Sequence, residues 1–159
     1  MMTHLSSDVI KTLQGKTLVT AESCTGGGIG AALTAVSGSS AVYKGGIISY
    51  TNWVKENALG VPGEMLSKFG AVSAPVAKAM AEGARRALQA DIAVSVTGLA
   101  GPGGDEYGNP VGTVFIGYAD ANKSYANEYH FLGDRETVRQ QAIQMALRVV
   151  LDNSQGSVL

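Results

Sequence analysis

Three short runs of this sequence hold the residues best able to do chemistry. The first, Ala21-Glu22-Ser23-Cys24-Thr25-Gly26-Gly27-Gly28, is a strand-like stretch that breaks into hydroxyls and glycines just before an alanine-rich helix pattern. A turn so placed gathers backbone N–H groups and hydroxyls at a helix N-terminus, where the dipole and the unpaired donors favour an anion. Thr25 alone would suffice to cap the helix, and three glycines in a row exceed what capping needs. The second run joins Gly38-Ser39-Ser40 to Tyr50-Thr51-Asn52-Trp53-Val54-Lys55. If Tyr50 closes a strand and Asn52 opens a helix, Lys55 falls in that helix's first turns, where the dipole opposes a cation and lowers its pKa. A neutral lysine can act as general base toward a serine hydroxyl, and a tyrosine hydroxyl between them can relay a proton or support an oxyanion. The bland alternative is a solvated lysine beside a half-buried edge tyrosine. The third run carries Arg135 and Arg139, i,i+4 neighbours on one helix face. Arg135 lies in the first turn, again the wrong end for a cation unless an anion binds there.

The elements that must position these residues alternate along the chain. Helices are expected over 5–14, 25–36, 52–58, 63–68, 73–89 and 134–153, and strands over 17–22, 41–50, 92–97, 112–119 and 123–131. Ser73 should cap the fifth helix, with Pro75 in its first turn and Val76, Met80, Ala84 and Leu88 inward; Lys78, Glu82, Arg85 and Arg86 take the opposite face. Asp134 should cap the last helix, with Val138, Ala142, Met145, Ala146 and Val149 inward. Interleaved strands and helices predict an α/β fold, a three-layer α/β/α sandwich around a mixed, mostly parallel sheet, with 112–131 as an antiparallel hairpin. Ligands in such folds bind beyond the carboxyl ends of strands, which is where Ser23, Tyr50 and Thr97 fall. The loop from Gly98 to Asn109 reads as a lid or a subunit contact.

Length and composition narrow the function. At 159 residues, with no linker-like stretch, the chain reads as one domain. A net charge of −1 and no basic run exclude nucleic acid and anionic membranes as expected partners. No signal peptide or apolar span is visible, so a cytoplasmic location is expected. A single cysteine, Cys24, and only His4 and His130 cannot assemble a Cys/His zinc cage, and no metal or cofactor is expected. Charged residues at 16% with 21 glycines suggest extensive covered surface, and hence a homo-oligomer.

Taken in order, Ala21-Glu22-Ser23-Cys24-Thr25-Gly26-Gly27, Gly38-Ser39-Ser40, Gly70-Ala71-Val72-Ser73, Val96-Thr97-Gly98-Leu99-Ala100-Gly101-Pro102, Pro110-Val111-Gly112-Thr113-Val114 and Gly133-Asp134-Arg135 resemble the carboxy-terminal domain of the CinA proteins. The match runs over about 5 to 155. Single-domain members resemble the nicotinamide-nucleotide amidohydrolases. The resemblance implies hydrolysis of the carboxamide of nicotinamide mononucleotide to nicotinate mononucleotide and ammonia. Carried over position by position, it implies Ser40 as nucleophile, Lys55 as base and Tyr50 as relay. Ser23, Thr97 and either Arg135 or Arg139 would line the pocket, and the turn of Thr25, Gly26 and Gly27, read above as an anion site, or the arginines would take the substrate's phosphate. Ser23, beside a helix N-terminus, can equally attack or bind. Larger members carry an amino-terminal domain similar to molybdopterin-binding proteins, and activity tied to that domain is not expected here.

Three rivals remain. Gly26-Gly27-Gly28-Ile29-Gly30-Ala31 fits a loose dinucleotide fingerprint, but no acid follows about 20 residues later to hold a ribose. Cys24 as nucleophile would need a base that neither histidine is placed to supply. A non-catalytic nucleotide-binding or competence-linked interaction module would bind without turnover.

Overall fold

Apolar alternation and short runs of buried residues become five strands, β1 (Leu18–Glu22), β2 (Tyr43–Ile48), β3 (Ile92–Gly98), β4 (Thr113–Ala119) and β5 (Ser124–His130). In the computed structural model, which describes residues 2–156, they form one sheet in the order β2-β1-β3-β4-β5. β1 runs parallel to both its neighbours, and β3-β4-β5 are successively antiparallel, so β4 alone runs against the rest. The expected hairpin is β4–β5, with Thr113 opposite His130 and Ala119 opposite Ser124.

Helices cover both faces. On one side lie α1 (Met2–Thr12), α2 (Gly28–Thr34) and α6 (Arg135–Gly156), packing Ile10, Leu33, Val138 and Leu147 against Leu18, Val94, Val96 and Ile116. On the other lie α3 (Asn52–Leu59), α4 (Gly63–Phe69) and α5 (Ala74–Ala87), whose Leu59, Leu66, Val76 and Met80 meet Val19, Ala21, Ala93 and Ala119. The sheet face under α5 is built from small residues, and a Cβ at Gly117 would collide with the Ala77 carbonyl oxygen. Ahead of α5, Ala71 O accepts the Thr97 hydroxyl at 2.9 Å, which holds that segment against the end of β3.

Several boundaries differ from the expected ones for local reasons. α2 starts at Gly28 rather than 25, because Gly26 (φ 57) and Gly27 (φ 100) take left-handed conformations that keep the turn non-helical. Thr25 does not cap that helix; the N-cap residue is Gly27, which has no side chain to offer. β2 is shorter than 41–50, since Ser39–Ala41 coil into a 3-10 turn and Ser49 and Tyr50 turn away toward α3. Ser73 is the N-cap residue of α5, but its hydroxyl donates back to the Gly70 carbonyl at 2.8 Å instead of accepting from the helix. Asp134 caps α6 as expected, accepting the Thr137 N–H at 2.9 Å, and that bond holds its carboxyl below its usual pKa. The Gly98–Asn109 loop is pinned to the body: Tyr107 Oη donates to Ser67 O at 2.8 Å and Asn109 Nδ2 to Val72 O at 3.1 Å.

Candidate functional site

The chain leaves β1 for α2 on one face and leaves β2 for α3 on the other, and the crevice at such a reversal is where α/β sheets place ligands. Ser23, the first residue after β1, keeps the sheet register by donating its N–H to Val96 O at 2.9 Å. Beyond β2, Ser49 donates its N–H to Glu22 O at 2.7 Å, and Thr51 caps α3 by accepting the Val54 N–H at 3.4 Å. The first turn of α3 therefore starts beside the end of β1 and brings Lys55 over Ser23.

The Lys55 ammonium donates to three oxygens: Ser23 Oγ at 2.9 Å, Ser49 O at 2.8 Å and Tyr50 O at 3.2 Å. Its side chain is almost wholly buried, at 1% exposure. Among the described residues it makes no ion pair with a carboxylate. Burial without a counter-charge lowers its pKa from 10.5 to about 8. The solvated-surface alternative for Lys55 is thereby excluded. Cys24, next to Ser23 in the turn after β1, is buried and its thiol is pushed up to about 11 by desolvation, which disfavours a thiolate nucleophile.

Ser23 and Lys55 lie at the base of a cleft of about 330 Å³. One wall is Ala71 and Val72, ahead of α5; the other is Gly98 to Gly101, leaving β3. Thr97 lines the base, its hydroxyl donating to Ala71 O at 2.9 Å. Across the mouth, Arg135 donates from Nη1 to Gly101 O at 2.6 Å and from Nη2 to Tyr50 Oη at 3.4 Å. Tyr50 is 59% exposed and its ring edges the opening.

The structure thus brings Ser23, Tyr50, Lys55, Thr97 and Arg135 together, and separates them from the other expected residues. Ser40 is exposed in the 3-10 turn before β2, whereas Lys55 follows β2. The six residues of β2 stand between them, roughly 20 Å of strand at ~3.3 Å per residue, so Ser40 cannot receive a proton-transfer contact from Lys55. Thr25, Gly26 and Gly27 do not line the cleft. Glu22 fills the place expected for a ligand anion: its carboxylate accepts from Ile29 N at 2.8 Å, Gly30 N at 3.0 Å and Thr25 Oγ at 2.6 Å. Gly26 and Gly28 donate their N–H groups within the turn, to Ser23 O and Thr25 O. Arg139 is committed as well, to Cys24 O and Thr25 O at 3.1 Å each and to Glu136 at 2.8 Å. Nor does Tyr50 Oη lie between Lys55 and a serine; it faces Arg135.

Sequence reasoning passed over Glu22 and Asn52, the latter on the cleft rim. Glu22 carried a readable signal, an acidic residue closing an otherwise apolar strand a few positions before a helix N-terminus.

Comparison with known proteins agrees with this architecture. The family model for the CinA C-terminal domain matches residues 2–153. A CinA-like protein of Parasynechococcus marenigrum is 51% identical over 148 residues, covering 90% of this chain and 35% of that protein. One of Geobacter metallireducens is 52% identical over 125 residues, covering 79% and 30%. The chain spans about a third of the length of these curated relatives. Among solved structures, a competence-damaged protein (CinA) superfamily protein of Klebsiella pneumoniae superposes with a TM-score of 0.95 at 34% identity, covering 98% of this chain and 99% of that one. A competence/damage inducible protein of Agrobacterium tumefaciens gives 0.91 at 39%, covering 95% and 94%. With matching sequence, strand order and helix placement over nearly its whole length, the chain belongs to the CinA C-terminal domain family.

Proposed function

We propose that this domain hydrolyses the carboxamide of nicotinamide mononucleotide, releasing nicotinate mononucleotide and ammonia, with Ser23 as nucleophile and Lys55 as base. The observation that carries the reading is the 2.9 Å contact between Ser23 Oγ and an uncompensated, buried Lys55 whose pKa is lowered to about 8. At neutral pH about a tenth of such a lysine is neutral and able to take the serine proton. Ser23 Oγ then bonds to the amide carbon as its proton passes to Lys55. Collapse of the adduct breaks the C–N bond, the nitrogen leaving as ammonia with the proton returned by Lys55. Water, deprotonated by the same amine, attacks the acyl-serine and yields the carboxylate and free Ser23. Arg135 and the Tyr50 hydroxyl at the mouth suit the nucleotide's phosphate, because a guanidinium offers paired donors to an oxyanion. The small walls at Ala71, Gly98 and Gly101 leave room for a flat ring.

The test is ammonia release from nicotinamide mononucleotide by purified protein in EDTA, beside Ser23→Ala, Lys55→Met and Ser40→Ala. Loss of turnover in the first two with retention in Ser40→Ala supports the reading. Turnover surviving in Ser23→Ala removes Ser23 as nucleophile, and binding without turnover by the parent protein makes the domain a nucleotide-binding module.

A further inference from the structure

Glu22 is buried to 2% exposure beside the cleft, yet among the described residues makes no ion pair with Lys55 and does not line the cleft. Both its oxygens are engaged. One accepts from Thr25 Oγ at 2.6 Å and Ile29 N at 2.8 Å; the other accepts from Gly30 N at 3.0 Å and Thr20 Oγ at 3.3 Å. The carboxylate thereby satisfies the Ile29 and Gly30 N–H groups in the first turn of α2 and clamps the turn that carries Ser23 from within. The backbone of the same residue holds the other half of the pair. Glu22 O accepts the Ser49 N–H at 2.7 Å, and Ser49 O in turn accepts from Lys55 Nζ at 2.8 Å. One residue therefore ties down the segment bearing the nucleophile and the segment that receives the lysine.

We propose that Glu22 is a positioning residue for the Ser23–Lys55 pair, its buried carboxylate setting the turn so that Ser23 Oγ meets the amine. The proposal rests on the hydrolytic reading above. It also assigns the glycine turn to internal anchoring, leaving anion recognition to the cleft mouth.

Glu22→Gln keeps the shape but turns one acceptor oxygen into an amide that faces donors. Asp91→Asn serves as control: Asp91 also accepts a backbone N–H, from Thr17 at 2.8 Å, before β3 and away from the cleft. Two rates are compared per folded molecule: amide turnover, and covalent labelling of Ser23 by an alkyl fluorophosphonate. In the labelling step an O–P bond forms, fluoride leaves and the serine proton goes to Lys55. We expect Glu22→Gln to lower kcat by about 10- to 100-fold, the scale of a small misplacement of reacting groups, with KM changed less than about twofold. Labelling should slow by a similar factor while Asp91→Asn retains both rates. Rates in Glu22→Gln within about twofold of the parent, or an equal loss in Asp91→Asn, overturn the positioning role. If Glu22→Gln does not fold, Thr25→Val removes the shortest donor to the carboxylate and is read the same way. A parent protein that labels but does not turn over nicotinamide mononucleotide refutes the substrate reading while the labelling comparison still decides on Glu22. A parent that does neither refutes both.

Discussion

Replacing Lys55 with methionine tests whether the amine is buried in an uncompensated site, independently of any substrate. The lysine titrates at about 8 in the folded protein against an ordinary value of 10.5. Between those values the unfolded chain holds a proton that the folded chain has released, so stability rises with pH across that window. The full shift corresponds to roughly 3 kcal/mol of destabilisation at neutral pH. Removing the amine also strands the wholly buried Ser49 O, a pH-independent loss of about 1–3 kcal/mol, while Ser23 Oγ and Tyr50 O face the open cleft, so the two proteins should be of similar stability at pH 7. The discriminating quantity is the slope. From pH 7 to pH 9 the parent should gain about 1.3 kcal/mol relative to Lys55→Met. Cys24, pushed up to about 11 from 9.0, and Tyr118, also raised by burial, act in the opposite direction above pH 9. Tyr118 is the same in both proteins and drops out of the comparison; Cys24 feels the Lys55 charge, but with its thiol held near 11 it stays protonated in the folded protein up to pH 9 and leaves the slope to Lys55. Urea unfolding of both proteins at pH 7, 8 and 9 reads the effect as a relative midpoint shift of roughly 0.5–1 M. Parallel pH dependences would refute the burial argument, and with it the physical basis for Lys55 as a base.

Further outcomes follow from the same geometry. With Lys55 at about 8, kcat/KM for the amide should fall about tenfold per pH unit below that value and level off above pH 9; a profile flat down to pH 5 would contradict the base role. Arg135→Ala should raise KM for nicotinamide mononucleotide about 10- to 100-fold by loss of a charge-assisted contact, leaving the phosphate-free riboside unaffected, and equal effects on both would show that Arg135 does not read the phosphate. Gly117→Ala places a methyl group against the Ala77 carbonyl oxygen and should cost about 1–3 kcal/mol, seen as a fall of roughly 3–10 °C in Tm; an unchanged Tm would mean that α5 can lift off the sheet.

Local pattern in the sequence was enough for the order of strands and helices, the hairpin at its end, the buried stripe of α5 and the Asp134 cap, because each depends on contacts within a few residues. The same applies to strand ends as the place for Ser23, Tyr50 and Thr97, since parallel strands deliver their exits to one edge. What local pattern could not supply was which serine faces the lysine. Ser40 is nearer to Lys55 along the chain, and an extended strand carries it to the far end of the sheet, whereas Ser23, 32 residues from Lys55, is brought to 2.9 Å by the β1–β2 pairing. The glycine turn shows the same division. Its composition announced a helix N-terminus in need of an anion, but only the folded packing of β1 against α2 decided that the anion is the chain's own Glu22. Arg135 and Arg139 look alike in sequence; the docking of α6 turns one to the cleft mouth and the other onto the carbonyls of Cys24 and Thr25. Sequence by itself determined which chemical groups exist and which elements carry them, through short-range periodicity and capping. Tertiary structure alone decided which groups meet and which are already satisfied, because strand pairing and burial act between residues far apart in the chain.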